Sequence, residues 1–213
     1  MSSTPAESPG PMAGELPLFP LQTPLFPGGL LGLTVFEARY LDLISACLRS
    51  RRPFGVVALR AGSEVRRGGE AVRFEPVGTL AELISADSEQ SGILLVRCRG
   101  TTRFRVEASR QQADGLWLAH TRPIADDAAL APDESLQGTV RALAATIPTL
   151  KNSKNESPFL EPHRFDDAGW VANRWCEILP ISPAAKQKLM ELPDPVVRLE
   201  LVDDFLRSKG VIR

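Results

Sequence analysis

The hydrophobic pattern changes period partway along the chain, and that change limits the fold more than any other feature. Between Phe54 and Ala119 the apolar residues fall in short continuous or alternating runs: Phe54–Leu59, Gly78–Ile84, Ile93–Cys98, Thr102–Val106 and Leu116–Ala119. Turn-forming residues separate them at Arg67-Gly68-Gly69, Asp87-Ser88, Gly100 and Asp114-Gly115. Short runs between such punctuation predict strands of a compact, mostly antiparallel sheet or barrel. Beyond Pro132 the sequence predicts helices over Glu134–Ile147, Asp167–Leu179, Pro183–Leu192 and Pro195–Arg207. Ser182-Pro183 and Asp194-Pro195 each place a capping residue before a proline at the first helical position. The polar, proline-bearing stretch Pro148–Arg164 reads as a loop. Strands followed by helices make an α+β chain.

Ahead of the strands, Leu16-Pro17-Leu18-Phe19-Pro20-Leu21 and Thr23-Pro24-Leu25-Phe26-Pro27-Gly28-Gly29 alternate large apolar residues with proline. Proline fixes φ and removes an N–H donor, so these segments predict extended chain at a sheet edge followed by a turn. Leu30–Val35 is a short apolar strand, and Thr34-Val35-Phe36-Glu37 has the spacing of a capping box. A helix is expected next, with Phe36, Tyr40, Leu43, Ile44, Cys47 and Leu48 inward and Glu37, Arg39, Asp42 and Arg49 outward.

With 213 residues, 43% of them hydrophobic, the chain can bury a core without staples. A net charge of -1 draws it to neither nucleic acid nor an anionic membrane surface. Cys47, Cys98 and Cys176 sit in apolar or alternating runs, which predicts buried free thiols rather than disulfides or a metal site. Met1–Gly14 has the Ser, Pro and Gly content of a disordered tail and lacks the basic and apolar regions of a signal peptide. No apolar run approaches the ~20 residues that span a bilayer, and the expected location is the cytoplasm. His120 and His163 lie in no nucleophile or metal-binding motif. Asp126-Asp127, Asp166-Asp167 and Asp203-Asp204 fall at expected helix ends or turns, where capping and solvation account for them. No catalytic residue, metal or cofactor is therefore expected, and neither is an enzyme.

The ordered combination Leu16–Leu21, Leu25-Phe26-Pro27-Gly28, Phe36-Glu37-Ala38-Arg39-Tyr40, Gly78–Ile84, Gly100–Val106, Leu179-Pro180-Ile181-Ser182, Lys186–Glu191 and Arg198-Leu199-Glu200 resembles the amino-terminal, substrate-recognising domain of the ATP-dependent Lon protease. The likeness covers about Glu15–Arg207. It implies a PUA-like β pseudo-barrel, at residues 15–127, followed by a helical subdomain at residues 131–212. It also implies a non-catalytic module that captures unfolded or partly folded polypeptides, as an adaptor or quality-control factor, alone or with a separate protease. The chain holds no Gly-x-x-x-x-Gly-Lys-Ser/Thr phosphate loop, so neither ATPase nor Lon-type proteolysis is expected.

A receptor for unfolded chains needs apolar ground and accessible backbone groups. Phe19, Leu21, Leu25 and Phe26 are candidates for a groove wall, or else they close the barrel. Arg39 is a candidate ligand contact, or pairs with a strand carboxylate such as Glu82. On a strand that alternates, Phe104 faces inward and Arg103 outward, where it makes a surface ion pair or meets ligand. The peptide-binding set is thus Phe19, Leu25, Phe26, Arg39 and Arg103. An RNA-binding PUA-like protein is the rival, since Arg49, Arg51, Arg52, Arg60, Arg66, Arg67 and Arg73 crowd one stretch. Scarce lysine and the lack of interleaved aromatics for base stacking weigh against it, and the cluster reads as a solvated face. A monomer or weak homodimer is expected.

Overall fold

The computed structural model describes residues 14–62, 64, 72–150 and 157–212, with Glu89 described by its backbone alone. Residues 1–13, the Arg67-Gly68-Gly69 turn, Arg66 and the middle of the expected loop (151–156) lie outside the described residues. The order of elements is β1 (Leu16–Leu21), β2 (Leu30–Val35), α1 (Ala38–Ser50), β3 (Phe54–Ala61), β4 (Arg73–Gln90), β5 (Ile93–Gln111) and β6 (Trp117–Pro123). Then come α2 (Gln137–Thr146), flanked by short 3₁₀ segments, α3 (Ala168–Ile178), α4 (Pro183–Glu191) and α5 (Pro195–Ser208). The fold is α+β: a mostly antiparallel six-stranded sheet followed by helices. No helix among the described residues is long and apolar enough to cross a membrane.

β6 pairs with both β1 and β5, which closes β1, β3, β4, β5 and β6 into a ring, and β2 attaches to β5 outside it. β1 is therefore not at an edge, contrary to the expectation from its prolines. It lies parallel to β3 over Leu18–Leu21 and antiparallel to β6 over Leu16–Leu18. Pro17 thus faces a partner strand on one side and Pro20 on the other, so each missing donor is asked for once at most. β2 takes the edge position instead.

Ile93–Cys98 and Thr102–Val106 form one strand, because Gly100 is not a turn. It is a point of close approach: a Cβ there would stand 2.3 Å from the Phe26 carbonyl oxygen. The Gly28 N–H donates to the Gly100 carbonyl at 2.8 Å, and the Gly100 N–H donates to Gly29 at 2.9 Å. Below Gly100, β5 pairs with β2, and above it with β6. Asp87-Ser88 likewise lies within β4.

The capping box is absent. Thr34 belongs to β2, and Glu37 caps α1 through its carbonyl, which accepts from the Tyr40 and Leu41 N–H groups. Tyr40, Leu43, Ile44 and Cys47 are buried as expected, each contributing about 1.5–3 kcal/mol over an exposed position. Phe36 and Leu48 are about half exposed instead. Phe36 precedes the first helical turn, and Leu48 lies at the margin of the apolar face. The carboxy-terminal helices start where the sequence marks them: Asp167 accepts from Trp170 N–H, Ser182 from Ala185 and Asp194 from Val196 and Val197. Such caps are worth ~1 kcal/mol each.

The core has three parts. α1 packs on Phe19, Leu21, Phe54, Val56 and Leu118, while alternate residues of the same strands, Leu18, Val57 and Ala119, make a second cluster with Phe104 of β5. The third lies among the helices and draws in Phe26 and Val77 from the sheet region.

Candidate functional site

Two adjoining cavities, of about 270 and 430 Å³, share Leu21, Gly32, Leu33 and Glu64 in their walls and so make one groove. It follows the free side of β2. Leu31, Leu33 and Val35 alternate toward the core under α1, while Gly32 and Thr34 are exposed. The groove is floored by Phe19, Leu21, Tyr40, Leu25, Leu31 and Leu33. Phe36 and Glu37 stand at one end, and Phe159, Ile178, Glu177 and Lys186 at the other.

The backbone of β2 adds polar groups to this apolar ground. Gly100 N–H bonds to the Gly29 carbonyl, and β2 then pairs with β5 without a register shift. Antiparallel ladders alternate, so Leu31, Leu33 and Val35 direct their N–H and C=O groups at β5, while Leu30, Gly32 and Thr34 direct theirs to the open side. A bridge between Gly29 and Phe159 covers the start of that side. From Gly32 onward no described strand lies against it.

The floor is held rigidly. The Phe19 ring stacks on Tyr40, centroids 3.9 Å apart and planes at 15°. Arg39 lies over the same Tyr40 ring at 4.5 Å, pairs with Glu37 at 2.9 Å and donates to the Gly115 carbonyl at 2.8 Å. Burial pushes the Tyr40 hydroxyl up to about 12, so it stays protonated. At the far end Arg174, fully buried, donates to both Glu177 carboxylate oxygens at 2.8 and 2.6 Å and to the Pro27 carbonyl at 3.0 Å. Lys186 donates to the Glu177 backbone carbonyl at 2.7 Å.

Phe19, Leu25 and Phe26 therefore line the groove, but they are 7%, 6% and 1% exposed and act chiefly as its floor and as core. Arg39 points inward rather than outward, and its partner is Glu37; Glu82 pairs with Arg99 instead. Arg103 lines neither cavity and is not on the surface. It is 3% exposed, bonded to Asp127 at 2.6 Å and to the Met190 and Leu192 carbonyls at 2.9 and 3.1 Å. The alternation argument fails for Arg103 because the helical part covers that face of β5, so both faces are buried. Asp127, expected to be a solvated turn residue, accepts from Arg198 as well, at 2.6 Å. Asp203 is buried and accepts from Thr139 at 2.5 Å and Arg207 at 2.6 Å.

Sequence reasoning missed Gly32, Leu33, Glu64, Phe159 and Lys186. The signal for the first two was present, since Leu30–Val35 carries no charge and holds a glycine for which a Cβ would meet nothing within 4 Å. The described members of the arginine cluster, Arg49, Arg51, Arg52, Arg60 and Arg73, are exposed, and Arg60 pairs with Glu75 at 2.7 Å. Among the described residues no three His, Cys, Asp or Glu side chains come together to hold a metal.

Comparison with known proteins follows the same lines. Residues 15–208 match the family described as the ATP-dependent protease La (LON) substrate-binding domain. The solved Lon N-terminal domain protein from Xanthomonas campestris is similar at 32% identity and a TM-score of 0.69, over 88% of this chain and 96% of that one. The N-terminal domain of Mycobacterium avium complex Lon protease shares the fold at 17% identity and a TM-score of 0.57, over 89% and 96% of the two chains. Lon protease of Anaeromyxobacter dehalogenans is 26% identical over 92% of this chain, and protein cereblon of Xenopus tropicalis is 28% identical over 68%. This chain spans 23% of that protease and 31% of that cereblon. The matched region is the substrate-binding domain and not the protease domain.

Proposed function

Because the chain belongs to the ATP-dependent protease La (LON) substrate-binding domain family, we propose that it is a polypeptide-binding module whose groove holds segments of other chains in extended form along β2. The observation that carries this reading is the coincidence of an apolar floor with a strand edge against which no described strand lies. Backbone bonding to Gly32 and Thr34 would supply affinity that is indifferent to sequence, and the floor would take every second side chain. The ligand class that offers both is an unfolded or partly folded polypeptide. As a finer reading, the module serves quality control in the cytoplasm as an adaptor that presents such chains to a separate protease. The strand-built residues 15–127 and the helical residues 131–212 act in this as one unit, since Phe159, Glu177 and Lys186 complete a groove begun by β2.

Gly32→Pro tests this directly, against Gly32→Ala as control. Proline removes an N–H that faces the open side and leaves the β5 ladder intact, while alanine keeps it and its Cβ meets nothing within 4 Å. One net hydrogen bond is worth about 1 kcal/mol, or about a five-fold rise in Kd. Fluorescence anisotropy with a labelled, permanently unfolded polypeptide should show that rise for proline and not for alanine, with thermal stability held within a few degrees. Equal binding by the two variants removes the strand edge from the reading.

A further inference from the structure

The groove has a charge as well as a shape. Four charged side chains line it, namely Glu37, Glu64, Glu177 and Lys186. Glu37 is neutralised by Arg39 at 2.9 Å and Glu177 by the two-pronged Arg174 bond. The Lys186 ammonium is turned to the Glu177 carbonyl. Glu64 differs: one oxygen accepts the Gln22 N–H at 2.5 Å, and no cation pairs with it among the described residues. It is partly buried, it stands in the wall common to both cavities, and its charge is felt by Tyr40 on the floor.

We propose that the groove selects, among extended apolar segments, those that carry a lysine or arginine opposite Glu64. The inference rests on the polypeptide-binding reading above and names the chemistry of its ligand. Beside apolar walls a charge pair is screened less than in bulk water, so an incoming ammonium or guanidinium gains more there. An incoming acidic side chain meets a like charge that no cation among the described residues relieves. The β2 edge fixes the strand, its alternation sends neighbouring side chains to the floor, and Glu64 then reads one position between them.

The experiment uses the full chain and three fluorescein-labelled peptides, identical and apolar except for a central Lys, Gln or Glu. At low salt the Lys peptide should bind about five- to ten-fold more tightly than the Glu peptide, the sum of a modest attraction and a modest repulsion. The preference should shrink at 0.3 M NaCl. Glu64→Gln keeps an acceptor for the Gln22 N–H, so it should erase the preference, with the Lys, Gln and Glu peptides then binding within about two-fold of one another. A preference that survives in Glu64→Gln, or no preference in the wild type although the Gln peptide binds, overturns the assignment of Glu64 and leaves the groove. No binding of any peptide overturns the groove itself, and binding unchanged by Gly32→Pro removes the β2 edge, and with it the register that sets a residue opposite Glu64.

Discussion

Asp127→Asn should destabilise the chain about as much as emptying a core position, although it removes no apolar surface. Asp127 is shared by Arg103 and Arg198, whose side chains are 3% and 1% exposed. Its oxygens accept at 2.6 Å from Arg103 and at 2.6 and 3.3 Å from Arg198. Arg198 also donates to Asn173 at 3.0 Å and to the Leu189 carbonyl at 2.8 Å, so both guanidiniums stay in place when the charge is lost. Asparagine is close in shape but turns an amide N–H₂ toward two groups that can only donate. Leaving a buried charge without its partner costs about 3–5 kcal/mol, and for a chain of this size each kcal/mol moves Tm by roughly 2–4 °C. The expected drop is therefore on the order of 6–20 °C. Urea unfolding followed by tryptophan fluorescence reads both halves at once, since Trp117 lies in β6 and Trp170 and Trp175 lie in α3. We expect one transition at a lower midpoint, because strand and helix residues share the cluster this junction joins. A cost below about 1 kcal/mol with an unchanged slope would refute the account of the junction.

Phe26→Ala should cost about 3–5 kcal/mol, since Phe26 is 1% exposed and packs in the helical cluster; thermal unfolding within a degree or two of wild type would return it to the groove wall alone. Alkaline pH should weaken the fold. Burial raises Cys47 from 9.0 to about 11, Cys98 and Cys176 to about 12, and Tyr40 from 10.0 to about 12. These groups lose protons earlier when unfolded, so their contribution is complete below pH 9 and is lost as pH rises toward 11–12. A urea midpoint that is flat or rising between pH 9 and 11 contradicts this.

The elements that local chemistry decides were legible in the chain. Ser182-Pro183 and Asp194-Pro195 mark helix starts whatever surrounds them, and the uncharged Leu30–Val35 run is a strand in either an edge or a central place. What was hidden depends on distant neighbours. Arg103 follows the alternation rule until a helical subdomain covers its face, and nothing near it in sequence announces Met190 or Leu192. Gly100 looks like a turn because turns and close approaches call for the same missing Cβ; only the carbonyl of Phe26 beside it tells them apart. The site was half visible. Phe19, Leu25 and Phe26 announced an apolar surface, but its length and its carboxylate follow from β2 lying outside the ring, which no local pattern encodes.

The place of β1 in that ring has a consequence for synthesis. It emerges first among the strands, yet one neighbour is β3 and the other is β6, about a hundred residues later. Until β6 is made, Leu16, Leu18 and Phe19 are an adhesive ribbon with one seam unsewn. Pro17, which lies on the β6 side, blunts that seam while it waits, since a strand short of a donor makes a poorer template for a stray partner. A late-closing seam of this kind makes folding slow for the size of the chain, and it puts the most aggregation-exposed moment just before residue 117 is in place.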